Sequence, residues 1–294
     1  MKNIKLEFIK FYYTLWNRIT HPSPRVIVDI HSGTGIYEHK ENNFKIREYD
    51  SAILSILKTI TLSDRLTIIL NEVSEQKFEI LQDEIDKIET NGIPIFEFKP
   101  KNSYQTNLLN SRKKKIRKNT KRIFPEKIGQ KPPSGYSRVY KKTKAKIICM
   151  NYNIEEQIDE IFDLYFKDIT ITKKDNTKKT LKVKGIFLFE SNSLDDWNLV
   201  RIIGEKAKNN DLIDLIFITS KSILENNLKA NINQLKNFYK EVKILKSPHS
   251  QENWLDFLLF CSNNPIAISL AENRIKNLKE KIKFIDIREF LKNY

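Results

Sequence analysis

The chain has 294 residues, 52 Lys+Arg against 37 Asp+Glu, and a formal net charge of +15. Sixteen of the cations and one acid, Glu126, lie between Lys101 and Lys146, which leaves 36 basic and 36 acidic residues in the remaining 248. That distribution excludes a uniformly basic, histone-like protein, and a 40% apolar fraction with 17 Phe and 11 Tyr excludes a chain disordered throughout.

Two cysteines, Cys149 and Cys261, provide neither a disulfide framework nor a four-thiolate metal site, so a reducing, cytoplasmic setting without a structural metal is expected. No apolar run approaches the roughly 18–20 residues that span a bilayer. The opening Met1-Lys2-Asn3-Ile4-Lys5 is basic, but Glu7 follows and a small-residue cleavage site does not, against a signal peptide.

In chain order, residues 5–19 carry Leu6, Phe8, Ile9, Phe11, Tyr12, Leu15, Trp16 and Ile19 at spacings of three and four, which predicts a helix with a broad buried face. His21-Pro22-Ser23-Pro24 ends it. Val26-Ile27-Val28-Asp29-Ile30 is apolar on both faces, as in a buried parallel strand, and His31-Ser32-Gly33-Thr34-Gly35 follows with two of the seven glycines. Residues 50–60 read as a helix, Leu66 to Leu70 as a strand ending in Asn71-Glu72, and Ser74 as the N-cap of a helix that runs to Asn91-Gly92. A possible strand at Ile93 to Phe98 precedes the basic stretch. The alternation resumes with a strand at 147–150, a helix at 154–166, a hairpin at 167–183 around Asp175-Asn176, and a strand from Gly185 to Glu190. A helix at 195–208, a strand from Leu212 to Ile218, a helix at 222–240, strands at Val242 to Leu245 and Leu255 to Phe260, and a helix from 265 to about 280 complete the pattern.

This alternation predicts one α/β domain over 1–294, with right-handed crossovers. Its sheet is doubly wound, Rossmann-like, mixed but mostly parallel and seven-stranded, with helices on both faces. A basic insertion occupies 93–146 and a hairpin insertion 167–183.

Open parallel sheets bind ligands beyond the carboxyl ends of their strands. Here the first strand delivers Asp29 and the Ser32 to Gly35 loop, and the second delivers Glu72. The dinucleotide pattern GxGxxG is absent, the spacing from Gly35 to Glu72 exceeds its ~20 residues, and no GxxxxGK[ST] exists. A strand-end acid, a small glycine loop and a second strand-end acid suit S-adenosylmethionine. The loop would lie beside its methionine portion and Glu72 would accept from its ribose. The plain alternative is a tight strand-to-helix turn and a solvated Glu72. The four histidines show no ligand spacing, and only His31 lies near this pocket.

Several blocks, in order, resemble the three-Cys-motif partner proteins, which are similar to class I methyltransferases. They are the helix Phe8 to Trp16, Val26 to Gly35, Tyr49 to Leu54, Ile69-Leu70-Asn71-Glu72, Gly185 to Glu190, Asp211 to Phe217 and Leu258 to Pro265. The resemblance implies a methyltransferase-like fold and S-adenosylmethionine held by Asp29, Ser32, Gly33, Thr34, Gly35 and Glu72. It also implies that Asn151 and Asn153 approach the adenine, that Glu190, Ser191 and Asn192 face the methyl acceptor, and that a protein of the three-Cys-motif system is a partner. Glu190-Ser191-Asn192 stands where that family has Asp-Pro, and the Gly and Pro of the Tyr49 to Leu54 block are lost.

The densest basic run includes Arg112, Lys113, Lys114, Lys115, Arg117, Lys118, Lys121 and Arg122, with Tyr136 and Arg138 beyond it. Consecutive cations spread around a helix and repel, so an arm that orders on a polyanion is expected, with Tyr104, Phe124, Tyr136 and Tyr140 available to stack on bases. The expected function is a methyltransferase-like protein acting on or with nucleic acid. The alternatives are a degenerate binding module and a metal-dependent nuclease using Asp29, Glu72 and Glu190.

Overall fold

The computed structural model describes residues 4–41, 44–59, 65–89, 95–98, 137–140, 145–172, 175–191, 196–208, 210, 212–220, 228–246, 256–277 and 283–286. In chain order the elements are α1 (Ile4–Thr20), β1 (Arg25–Asp29), β2 (Ile36–Glu41), β3 (Phe44–Tyr49), α2 (Ser51–Thr59), β4 (Leu66–Asn71), α3 (Glu75–Glu89), β5 (Ile95–Phe98) and β6 (Ser137–Tyr140). They continue with β7 (Lys146–Met150), α4 (Ile154–Tyr165), β8 (Ile169–Thr172), β9 (Lys178–Leu181), β10 (Lys184–Ser191), α5 (Trp197–Lys208) and β11 (Ile213–Ser220). The last are α6 (Leu228–Phe238), β12 (Glu241–Lys246), β13 (Asp256–Ser262), α7 (Pro265–Asn277) and β14 (Lys283–Asp286).

The main sheet has ten strands in the order β14-β12-β13-β11-β10-β1-β4-β7-β6-β5. Its central seven, from β12 to β7, are the predicted mixed sheet. β1 pairs parallel with β4 and β10, β4 with β7, and β10 with β11, while β13 runs antiparallel to both neighbours. The sheet is longer than predicted because β14 extends one edge, and β5 and β6 extend the other as an antiparallel hairpin.

Every residue of β1 is buried, and alternation sends Val26 and Val28 into one core and Ile27 into the other. The first core carries α4, α5 and α6, and the second carries α1, α2, α3 and α7. Burying one such aliphatic side chain stabilises by roughly 1.5–3 kcal/mol, so a central strand with no wet face is held from both sides. Arg25 opens β1 fully buried. Its guanidinium donates to the Asn17 and Ser23 carbonyls at 3.1 and 3.2 Å and to Asn17 Oδ1. Asn17 in turn donates to the Thr59 carbonyl at 2.8 Å, so the ends of α1 and α2 close on the start of β1.

The sequence left residues 36–49 unassigned, and they form the ribbon β2–β3, paired from Ile36 with Tyr49 to Glu41 with Phe44. Arg47 on this ribbon and Lys87 on α3 both pair with the buried Glu84 carboxylate, which fastens the ribbon to α3. A second ribbon, β8–β9, lies within residues 167–183. α6 begins at Leu228, and residues 222–227 of the predicted 222–240 helix lie outside the described residues. Among the described residues no helix is long and apolar enough to cross a membrane.

One buried acid crosses the layers. Asp214 on β11 is 3% exposed and accepts from Tyr12 of α1 at 2.8 Å and from Ser262 of β13 at 2.5 Å. Burial pushes its carboxyl up to about 6, against the opposing pull of these two hydrogen bonds and of Lys184. Its folded pKa therefore lies above the ordinary carboxyl value, the folded state holds the extra proton between about pH 4 and 6, and stability falls as pH rises through that window. Asp214→Asn should remove this component. The stability difference between wild type and variant, read from urea unfolding at pH 4 and pH 7, should shift by on the order of 2–3 kcal/mol toward the variant. A pH-independent difference would show that Asp214 is ionised in both states.

Candidate functional site

The chain steps outward from β1 to β4 and β7, then returns to β10 and β11 on the other side of β1. The switch point therefore lies between β1 and β10, and the loops beyond their carboxyl ends form the crevice where such sheets bind ligands.

Beyond β1, the Ser32 to Gly35 loop is stitched to the end of β4. Ser32 N–H donates to the Asn71 carbonyl at 2.8 Å, and Gly33 N–H donates to Glu72 Oε2 at 2.9 Å. Glu72 Oε1 accepts from Ser74 N–H at 2.8 Å. A carboxylate offers about four acceptor positions, so these two amides leave capacity for a diol. Glu72 is only 5% exposed, and a ligand that reaches it must bury against it.

The two loop glycines are needed for different reasons. Gly33 (φ +57) and Gly35 (φ +74) both adopt the left-handed region that L side chains rarely enter. A Cβ on Gly35 would meet Ile53 Cγ1 and Leu81 Cδ1 at 2.8 Å, so its side faces packed core. A Cβ on Gly33 would meet nothing within 4 Å, so its side is open beside the Glu72 carboxylate. Thr34 Oγ1 turns back to the Ile36 carbonyl, and Ser32 Oγ donates to the Asp29 carbonyl at 3.2 Å.

Asp29 is buried, and its Oδ2 accepts from Ser51 Oγ at 2.8 Å, fixing the start of α2 to the end of β1. Asn151, just past β7, donates to the Glu72 and Val73 carbonyls at 2.6 and 3.0 Å and so positions that turn. Asn153 spends its side chain as the N-cap of α4, accepting from Glu155 N–H at 3.3 Å.

Two residues escaped the sequence reading. Asn71 donates to the Ile30 and Tyr152 carbonyls at 3.2 and 3.1 Å and accepts from Tyr152 N–H, tying the ends of β1, β4 and β7 together. An asparagine ending an otherwise apolar buried strand was the available signal, because a buried amide requires partners. Val73 is 61% exposed beside Glu72, an apolar side chain at the rim of the crevice.

At the carboxyl end of β10, the Glu190 carbonyl pairs with His31 Nδ1 at 2.5 Å, and buried Ser191 donates to Asp196 Oδ2 at 2.7 Å. Asn192 lies outside the described residues. Ser191 is in register with Thr219 at the end of β11. The Thr219 hydroxyl and the indole N–H of Trp197 are both buried without a hydrogen-bond partner. Both residues lie in the core-facing layer of α5, since Trp197 packs edge-on against Phe217, two residues before Thr219 on the same face. Among the described residues, Tyr13, Gln82, Gln157, Tyr165 and Tyr239 also carry buried atoms without a partner, and Thr219 and Trp197 are the ones near the end of β10. Among the described residues, no three or more His, Cys, Asp or Glu side chains come together as a metal site, and Asp29, Glu72 and Glu190 do not do so.

Of the basic residues singled out in the sequence, Arg112, Lys113, Lys114, Lys115, Arg117, Lys118, Lys121, Arg122 and Tyr136 lie outside the described residues, and Arg138 is a backbone position of β6. The stems that hold the segment are described. Phe98 pairs with Ser137, and Ser137 pairs with Met150 at the carboxyl end of β7. Residues 99–136 therefore leave and re-enter the sheet at the same edge as the crevice.

The glycine asymmetry gives a direct test. Gly35→Ala should cost about 1–3 kcal/mol in urea unfolding, from strain and overpacking together. Gly33→Ala should cost only the backbone strain, about 1 kcal/mol. Equal losses would contradict the packing described for the two sides of the loop.

The sequence matches no family profile and no curated protein. Among solved structures, the chain is similar to protein LPL1258 from Legionella pneumophila, family-model DUF519, at 10% identity, TM-score 0.52, and 96% coverage of each chain. A probable spermidine synthase from Corynebacterium glutamicum aligns at 8% identity, TM-score 0.45, over 97% of this chain and 76% of that one. The METTL16 methyltransferase domain aligns at 10% identity, TM-score 0.42, over 90% and 70%. At such identities the likeness concerns the fold alone. The sheet order and crossovers make it a doubly wound, Rossmann-like fold.

Proposed function

We propose that this chain is an S-adenosylmethionine-dependent methyltransferase that acts on nucleic acid. The observation that carries the reading is the open left-handed amide of Gly33 held on the Glu72 carboxylate at the carboxyl edge of β1 and β4. When bound, S-adenosylmethionine supplies an electrophilic methyl group on a sulfonium. The residues present fit it. Glu72 has acceptor capacity for the ribose hydroxyls, Gly33 allows close approach of the methionine portion, and Val73 offers an apolar surface to the adenine. Asn151 Oδ1 can accept from the adenine amine while its amide group holds the Glu72–Val73 turn. No phosphate is present, so the lack of a cation at the loop is no obstacle.

Methyl transfer in line needs positioning of the two reactants more than acid or base strength. Ser191, Asp196, the Trp197 indole and the Thr219 hydroxyl form the polar end of the acceptor side, with Glu190 and Asn192 adjoining them in sequence. The 12 cations and one acid of residues 99–136, carried by stems at the same edge, would draw a polyanion across the crevice. Kinship with the three-Cys-motif partner proteins rests on the ordered sequence blocks, and with it a protein of that system as partner in the cytoplasm.

A binding module with a degenerate cofactor site is the second reading. It is favoured by Asp29 and Glu72 already engaged by Ser51, Gly33 and Ser74. Calorimetry separates the two. Wild type should take up S-adenosylmethionine, and Glu72→Ala should weaken it by at least tenfold. No heat with the wild type would leave only the binding module. For nucleic acid, affinity should fall by about 10³–10⁵ between 50 and 200 mM salt if six to ten cations contact phosphates. Joining Phe98 to Ser137 by a short turn should abolish that binding, and unchanged affinity would reject the basic segment as the contact.

A further inference from the structure

We infer that His31 is the group that accepts the proton released by the methyl acceptor, an inference that rests on the methyl-transfer reading. His31 stands at the switch point itself, the second residue beyond β1, bonded across to the end of β10. Its Nδ1 lies 2.5 Å from the Glu190 carbonyl oxygen. A carbonyl only accepts, so Nδ1 carries the hydrogen, and in the neutral ring Nε2 is left as a lone pair. The ring is held a second time by an edge contact with Phe189, 5.0 Å between centroids at 64°. The imidazole is half-buried, and Ser32 and Gly33 of the ligand loop follow it directly in the chain. A histidine with one nitrogen tied to backbone and the other bare has the arrangement of a positioned base.

The step balances without a further reagent. The acceptor nitrogen or oxygen bonds the methyl carbon, the sulfonium sulfur keeps the electron pair of the broken bond, and the acceptor's proton passes to Nε2 and on to water. The carboxylates at the carboxyl edge of the strands near the switch point are Asp29 ending β1, Asp50 before α2, Glu72 beyond β4, Glu190 on β10 and Asp196 before α5.

Two variants separate a base from a brace. His31→Asn keeps a side-chain N–H near Nδ1 for the Glu190 carbonyl and removes Nε2, whereas His31→Gln keeps an amide near Nε2 and releases the carbonyl. The probes are methyl-tritiated S-adenosylmethionine with mixed-sequence RNA and DNA oligonucleotides. His31→Asn should bind S-adenosylmethionine in calorimetry as the wild type does, yet transfer methyl about 10²–10⁴-fold more slowly and lose the acid limb of the pH–rate profile. Nitrogen-15 NMR of the wild-type imidazole should show Nδ1 protonated and Nε2 bare at neutral pH. The opposite tautomer, or wild-type rates and pH profile in His31→Asn, overturns the inference. So does absence of transfer to both nucleic acids with cofactor binding intact. Absence of cofactor binding instead removes the methyltransferase reading itself.

Discussion

The hydrogen bond from the Gly33 amide to the Glu72 carboxylate is the joint on which the crevice depends. β1 is buried along its whole length and has no polar surface of its own until its carboxyl end. The first surface open to a ligand therefore appears in the loop that follows, on the bare side of Gly33. Glu72 fixes that loop from the neighbouring strand, Asn151 fixes the Glu72 turn from the strand beyond, and Asn71 ties all three ends together. Each link is a polar group buried among apolar ones, so breaking one strands its partner at a cost of about 1–3 kcal/mol. The loop is thus held rigid by its own amides, and glycine is used at position 33 where the outer side must present no side chain.

The two faces of the sheet divide the work. The face of α1, α2, α3 and α7 receives Asp29, whose carboxylate is consumed in anchoring α2. The face of α4, α5 and α6 receives Ser191, Trp197 and Thr219, where two polar atoms lack partners. Partnerless buried atoms occur on both faces, at Tyr13 and Gln82 as well as here, so what marks this half is that Thr219 stands in register with Ser191 at the carboxyl end of the sheet.

Most strands were legible because β-branched runs such as Val26-Ile27-Val28 and Ile147-Ile148 are buried on both faces and leave a continuous apolar signature. The glycine loop and Glu72 were legible because they sit where such runs end. The β2–β3 ribbon was not. Its Tyr37-Glu38-His39-Lys40 and Lys45-Ile46-Arg47-Glu48 segments are mostly polar, and what holds Arg47 is an ion pair with Glu84, distant in sequence. The reversal of β13 between β11 and β12 was equally hidden, because local pattern carries no strand direction. Asn153, expected near the adenine, is also the N-cap of α4. A short polar side chain before a helix suits both uses, and only the geometry separates them.

The hairpin stem at Phe98 and Ser137 has a consequence for stability. It joins the sheet at an edge, outside the seven central strands, and spans 38 residues between its paired ends. For a flexible connection, doubling the length adds only about 0.6 kcal/mol of closure entropy. On that scaling, the length of chain joined at this stem bears little on the stability of the seven central strands. The strand order around the crevice is therefore independent of what the stem carries.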